Sequence, residues 1–237
     1  PMAVARAAME SGVAAAPIKD WDKYQEELHT RTGSDKKLVR LITSQAKSDL
    51  QRVVFAEGDE MDVLKAAQLV HEEGIATPIL LGDEQYIREM MATIEFEGDV
   101  TIIDPKKETV KEARDAYAHT YWQLRQRKGI TLYDAQRRMR ERNYYAAMMV
   151  REGDADAMIS GYSRSYPNVL KPVLQVIDTQ EGVNRVATTN LMITNRGPLF
   201  ISDTSININP NPKDLAKIAQ MTSYTATLFG INPKVAM

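Results

Sequence analysis

RVVFAEGDEMDVLKAAQLVHEEGIATPILLGDEQYIREMMATIEFEGDVTIID, residues 52–104, decides the fold. Arg52–Ala56, Pro78–Gly82 and Val100–Asp104 are short apolar runs of strand length. Between them, Met61–Glu73 and Glu84–Met91 repeat apolar residues at helical spacing, as Val63, Ala66, Ala67 and Val70 do. Strands that are apolar throughout are buried on both faces, and the intervening amphipathic helices supply the cover. The stretch therefore predicts a mostly parallel sheet with helices on both faces, a three-layer α/β arrangement.

Downstream, Glu108–Lys128 reads as a helix with Val110, Ala113, Tyr117, Tyr121 and Leu124 on one face, stopped by Gly129 at C′. Thr131 and Asp134 make a variant capping box for a second helix, continuous to about Glu152 and ended by Gly153. Only Gly129-Ile130 separates the two, so they are expected to fold back as a helical hairpin. Ala155–Ser160 is another buried strand, followed by the polar loop Tyr162-Ser163-Arg164-Ser165. A helix from about Asn168 to Ile177 comes next, with Pro172 expected in its first turn or just after it. Asn184–Ile193 and Leu199–Asp203 read as a strand pair turned at residues 195–198. The last helix takes Asn211 as N-cap, Pro212 at N1 and Asp214 at N3, and turns Leu215, Ile218, Ala219, Thr222, Ala226 and Phe229 inward.

Upstream the pattern is weaker. Residues 1–16 are an Ala-rich helical stretch ending near Gly12, and 17–34 form a polar connector with a short helix around Trp21, Tyr24 and Leu28. This region has too few large apolar residues for a core of its own, and is expected to dock elsewhere or to remain a mobile tail. At the other end, Asn232–Met237 reads as a turn opening into a buried strand, which implies that more chain follows.

Composition narrows the function. The 237 residues suit one large domain or two small ones at roughly 100–200 residues each. With 43% hydrophobic and 26% charged residues, disorder and a coiled coil are excluded. No apolar run approaches the roughly 18 residues of a membrane span, so no membrane partner is expected. A net charge of −2 argues against a general polyanion binder, and nucleic acid is not an expected partner. The absence of cysteine removes disulfides, thiolate metal sites and a cysteine nucleophile; with no signal peptide visible, a cytoplasmic location is expected.

Three places can hold chemistry. Residues 114–151 carry nine Lys/Arg (114, 125, 127, 128, 137, 138, 140, 142 and 151) against three acids. Arg125 and Lys128 fall in the last turn of their helix, where cations complement the macrodipole, and a guanidinium such as that of Arg125 also matches two phosphate oxygens. Arg137, Arg138, Arg140 and Arg142 are expected on a solvated helix face. The strand–loop–helix unit with Ser160, Gly161, Ser163 and Arg164 lies where open α/β sheets bind ligands, and Gly161 admits close backbone approach. Asp203 ends a strand, where a base, a ligand or, more commonly, loop hydrogen bonding is expected. The three histidines, His29, His71 and His119, stand far apart on helices and read as solvent-exposed, so no metal site is expected. Tyr144-Tyr145 and Met148-Met149 read as packing.

Leu124-Arg125-Gln126-Arg127-Lys128-Gly129-Ile130-Thr131 resembles the L-R-x-x-K-G-[IMV]-T signature of phosphate acetyltransferases. Met158-Ile159-Ser160-Gly161, followed by Leu170-Lys171-Pro172-Val173-Leu174-Gln175-Val176-Ile177, is similar to the same family's S-G and L-R-P-A-x-Q blocks. Ser202-Asp203, Asn209-Pro210-Asn211-Pro212 and Pro233-Lys234-Val235-Ala236-Met237 are similar to its later blocks. The likeness covers about Leu38 to Met237. Ala3–Ala14, in contrast, resembles the closing helix of the NAD(P)-binding domain of bacterial malic enzymes. The two occur together in large hybrid malic enzymes.

The resemblance implies an isocitrate/isopropylmalate dehydrogenase-like, two-lobed fold cut short at its carboxy end. Residues 1–16 would be the tail of a malic enzyme NAD(P)-binding domain, 17–37 a linker, 38–180 the first phosphotransacetylase-like lobe and 181–237 the start of the second. It also implies acetyl-CoA or a similar phosphorylated metabolite as effector, held by Arg125, Lys128, Ser160, Gly161, Ser163, Arg164, Lys171 and Asp203. NAD(P) and a divalent metal, Mg or Mn, would belong to the missing malic enzyme half, and dimers would form through this domain. Lys171 stands where active acetyltransferases carry a second arginine, and an ammonium cannot grip a phosphoryl group bidentately. Tyr162–Asn168 replaces a small-residue loop that holds a histidine and an aspartate, and the family's late Ser-Arg and Asp would lie beyond Met237. A regulatory, acetyl-CoA-sensing and oligomerising domain is therefore expected, with an active phosphate acetyltransferase as the alternative.

Overall fold

The structure, a computed structural model, describes residues 2–14, 16, 18–21, 24, 35–179, 183, 185–194 and 197–237. It divides into two compact units, Gln45–Asn184 and Pro1–Ser44 with Arg185–Met237.

The first unit is built on four parallel strands, β1 (Gln51–Phe55), β2 (Ala76–Leu81), β3 (Thr101–Ile103) and β4 (Ala157–Ile159), in the order β3-β2-β1-β4. Gln51 pairs with Ala76 and Phe55 with Leu80, while Val53 pairs with Ala157 on the other side. Helices α3 (Met61–Glu72) and α4 (Glu84–Thr93) cover one face, where Leu64, Ala67, Ile87, Met90 and Met91 pack with Phe55 and Leu80. Helices α5 (Lys111–Arg125), α6 (Leu132–Arg138), α7 (Arg142–Glu152) and α8 (Tyr166–Val176) cover the other, around Val54, Ile79 and Leu81. Three layers result, as the alternation of apolar strands and amphipathic helices requires. The chain moves outward from β1 to β3 and then returns to β4, so the strand order reverses between β1 and β4. Ligands of open α/β sheets sit at this reversal, outside the carboxyl ends of the strands.

Several local readings need correction. The stretch after Thr131 is two helices, not one: Arg140 and Glu141 amides close turns onto Arg137 and Arg138 carbonyls. The inward face of α5 is Arg114, Tyr117, Ala118 and Tyr121, leaving Ala113 and Leu124 exposed. Helix α8 begins at Tyr166, so Pro172 lies in its interior. The Asn168 carbonyl that a residue-172 amide would have reached accepts instead from Asn143 Nδ2 at 3.3 Å. His71 is half-buried against Phe96, His119 is exposed, and His29 lies outside the described residues.

The second unit contains α1 (Met2–Glu10), α2 (Asp35–Ser48, which runs a few residues past its boundary), the antiparallel pair β5 (Thr189–Thr194) and β6 (Gly197–Ser202), and α9 (Pro212–Leu228). Asn211 caps α9 in a full capping box with Asp214. Ile218 and Ala226 of α9 are buried and Phe229 packs on Phe200, whereas Leu215 is exposed. The pair begins at Thr189, later than expected, and residues 195 and 196 of its turn lie outside the described residues. So does Leu28 of the expected connector helix, whose Trp21 and Tyr24 rings meet edge to face. Residues 231–237 form no strand: Val235 is 56% exposed and has no ladder partner among the described residues.

Candidate functional site

Glu57, directly beyond β1, organises the strand reversal. Its carboxylate is 3% exposed and accepts from the amides of Gly161, Tyr162 and Ser163 at 2.7, 2.8 and 2.9 Å and from Ser163 Oγ at 2.7 Å. Burial alone would push this carboxyl up; the four donors outweigh it and lower it to about 2. Gly58 makes the placement possible, because a Cβ there would stand 2.9 Å from Leu80 Cβ and 3.2 Å from the Leu81 carbonyl oxygen. Sequence reasoning passed over Glu57; an acidic residue following a buried strand in Ala56-Glu57-Gly58 was the available signal.

Beside it opens a cavity of about 560 Å³. Its lining takes Lys106 from beyond β3, Arg137 and Arg138 from the end of α6, Arg140 and Arg142 from the α6–α7 break, Arg164 from the β4–α8 loop and Lys171 from α8. Only Glu57 and Glu141 oppose these seven cations in the lining. The expectation of a solvated face holds for the exposed Arg137 and Arg140 and is corrected for Arg138 and Arg142, which are half-buried; all four line one cavity. The interruption at Met139–Glu141 is what brings them together.

Their charges are not equally compensated. Arg142 makes a two-pronged ion pair with Asp59. Arg137 has, among the described residues, only Asp134 as ion-pair partner, at 3.9 Å. Among the described residues Lys106, Arg140, Arg164 and Lys171 have no salt-bridge partner. Arg138 donates to Tyr121 Oη and to Gln175 Oε1. Burial disfavours its charge, but the phenol oxygens of Tyr121 and Tyr144, with the more distant Asp134 carboxylate, outweigh this and raise the pKa. Such a cluster creates a positive local potential, the chemistry that suits an anionic group.

The sequence-predicted residues divide accordingly. Arg164 and Lys171 line the cavity. Ser160, Gly161 and Ser163 are not among the lining residues: the donors of Gly161 and Ser163 are turned to Glu57, and Ser160 Oγ donates to Asn143 Oδ1 at 2.7 Å. Arg125 and Lys128 are not among the lining residues; they sit at the end of α5 and in the 3₁₀ turn that Gly129 closes with φ 83°. Asp203 belongs to the other unit, where its carboxylate accepts from the Thr188 amide and hydroxyl at 3.0 and 2.6 Å and from the Asn207 amide at 2.7 Å. Burial would raise its pKa, but these bonds hold it well below the usual carboxylate range, as befits an organiser of its loop. Among the described residues no group of three or more His, Asp or Glu is placed to hold a metal ion.

Comparison with known proteins places this architecture. The sequence profile described as phosphate acetyl/butaryl transferase matches residues 37–237. The chain belongs to that family. As a phosphate acetyl/butaryl transferase homologue it has the fold of the EutD phosphotransacetylase from Staphylococcus aureus, with a TM-score of 0.77 at 28% identity over 86% of this chain and 61% of that one. Similar proteins include the NADP-dependent malic enzyme of Haemophilus influenzae, 37% identical over 99% of this chain and 31% of the enzyme. The phosphate acetyltransferase of Thermoanaerobacterium thermosaccharolyticum is 36% identical over 84% of this chain and 62% of that enzyme. The chain thus spans about a third of the malic enzymes it matches, and is a phosphotransacetylase-like domain homologous to their carboxy-terminal part. No helix among the described residues is long and apolar enough to cross a membrane.

Proposed function

We propose that this domain binds acetyl-CoA, or a closely related phosphorylated metabolite, in the cationic cavity and so regulates a malic enzyme half that oxidatively decarboxylates malate to pyruvate. The observation that carries the reading is the convergence of Lys106, Arg140, Arg164 and Lys171, all without salt-bridge partners among the described residues, on one cavity beside the strand reversal. A CoA-class ligand presents several phosphate charges to such a cluster. Homology over 99% of the chain with NADP-dependent malic enzymes supports the regulatory half of the reading. That half would bring NAD(P) and Mg or Mn; the residues of this chain hold only the effector. Regulation requires the ligand to favour one state of the enzyme by about 1–3 kcal/mol, or roughly 5–150-fold in affinity. Dimerisation through this domain, in a cytoplasmic enzyme, is compatible with that role.

The test is malate oxidation by the full-length enzyme, with and without acetyl-CoA. Inhibition that an Arg164→Ala, Lys171→Ala double variant relieves is the expected outcome. Unchanged turnover at saturating acetyl-CoA contradicts it. A second reading, an active phosphate acetyltransferase, draws on the 36% identity with the Thermoanaerobacterium enzyme. Sustained, enzyme-dependent release of CoA thiol from acetyl-CoA and phosphate would favour that reading; Lys171, a point charge at the position of a gripping arginine, speaks against it.

A further inference from the structure

Arg138 differs from the other half-buried arginine of the cavity. Arg142 faces the Asp59 carboxylate, whereas Arg138 meets neutral oxygens only. Its Nη1 donates to Tyr121 Oη, to Gln175 Oε1 at 3.0 Å and, at 3.5 Å, to Tyr144 Oη. Tyr121 and Tyr144 both donate to the same Gln175 oxygen at 2.8 Å, which closes the network. The two rings meet edge to face at 5.5 Å, and the guanidinium carbon lies 5.8 and 5.5 Å from their centroids. The side chain is therefore held from one edge by hydrogen bonds and by the aromatic rings.

The other edge is open. A guanidinium has five N–H donors, and Nε and Nη2 of Arg138 have no protein acceptor among the described residues. No buried side-chain nitrogen or oxygen among those residues lacks a partner, so these two atoms face open space, and Arg138 lines the cavity. A pre-oriented, partly desolvated fork with no carboxylate in contact, on which Asp134 acts only from a distance, matches two oxygens of one phosphate.

We propose that Arg138 anchors a phosphate group of the cavity ligand through Nε and Nη2, with Tyr121, Tyr144 and Gln175 as its positioning residues. The proposal rests on the anion-binding reading above and specifies which group makes the strongest contact. Gln175 lies one helical turn from Lys171 on α8, so the helix that carries part of the cradle also carries a second cation of the lining. Ligand drawn onto Arg138 is thereby sensed by two tyrosine hydroxyls and by α8.

Calorimetric titration of the whole chain with acetyl-CoA tests this. Arg138→Met is expected to weaken binding about 10- to 100-fold, the loss of a charge-assisted pair. Arg138→Lys is expected to recover only part of that loss, since it restores the charge without the fork. Tyr144→Phe keeps the ring and removes the hydroxyl; a smaller loss is expected, together with a reduced tyrosine ultraviolet difference spectrum on ligand addition, which a merely structural role leaves unmoved. Circular dichroism identifies any variant that fails to fold, in which case Arg138→Lys and Tyr144→Phe decide. Wild-type affinity in Arg138→Met, with binding lost in Arg140→Ala, overturns the proposal and leaves the anion-site reading standing. Absence of binding to the wild-type chain overturns both.

Discussion

At Glu57 one carboxylate takes the place that an anionic ligand occupies at the strand reversal of many α/β folds. The three amides of residues 161–163 and the Ser163 hydroxyl point at it, so a phosphate cannot use them while Glu57 is ionised. In the proposed function, ligand charge then falls to the arginines. The folded protein lowers this carboxyl from 4.5 to about 2, so its stabilising effect is fully present above about pH 4.5 and is lost as pH falls towards 2. Glu57→Gln is expected to destabilise the protein by about 1–3 kcal/mol at neutral pH, because an amide nitrogen then confronts N–H donors. Denaturant unfolding of both proteins between neutral pH and pH 3 checks this: the difference must narrow in acid, and a constant difference would show that the charge is not its cause.

At the scale of elements, the α6 helix carries Arg137 and Arg138 to the cavity and is started by Thr131, whose side chain accepts from the Asp134 amide while Asp134 reaches back. Thr131→Ala is expected to cost about 0.5–2 kcal/mol, with Thr131→Ser close to wild type. Urea midpoints of the two variants measure this, and equal losses would exclude the cap as the cause. Such caps were legible in the sequence, as were the Gly129 and Gly153 stops, because their chemistry is local. The order of strands and helices was legible for the same reason. The α6–α7 break is not legible in the sequence, since no Gly or Pro marks the place and Ala135, Met139 and Ala146 keep the spacing of one continuous helix. Pro172 inside α8 was unreadable because Asn143, which satisfies the freed carbonyl, is remote in sequence. The cavity was legible only in part: Arg164 stood out in the loop after a buried strand and Lys171 in a family block, while the convergence of Arg137, Arg138, Arg140 and Arg142 depends on a bend that local patterning conceals.

At the scale of the whole molecule, a net charge of −2 coexists with a cavity in which seven cations face two acids. Overall balance therefore says little about a site, because screening confines each charge's influence to about 8 Å at physiological salt. Homology over 99% of the chain to malic enzymes, of which it spans about a third, supplies the larger setting of the proposal, a domain acting on a catalytic half. What ties the two is whether the cavity takes the phosphates of acetyl-CoA. A crystal structure of the chain grown with acetyl-CoA answers that most directly. The expected result is phosphate oxygens about 2.7–2.9 Å from nitrogens of Arg138, Arg140, Arg164 or Lys171; ordered ligand phosphates elsewhere, for instance at Arg125 and Lys128, with the cavity left to solvent, would contradict it.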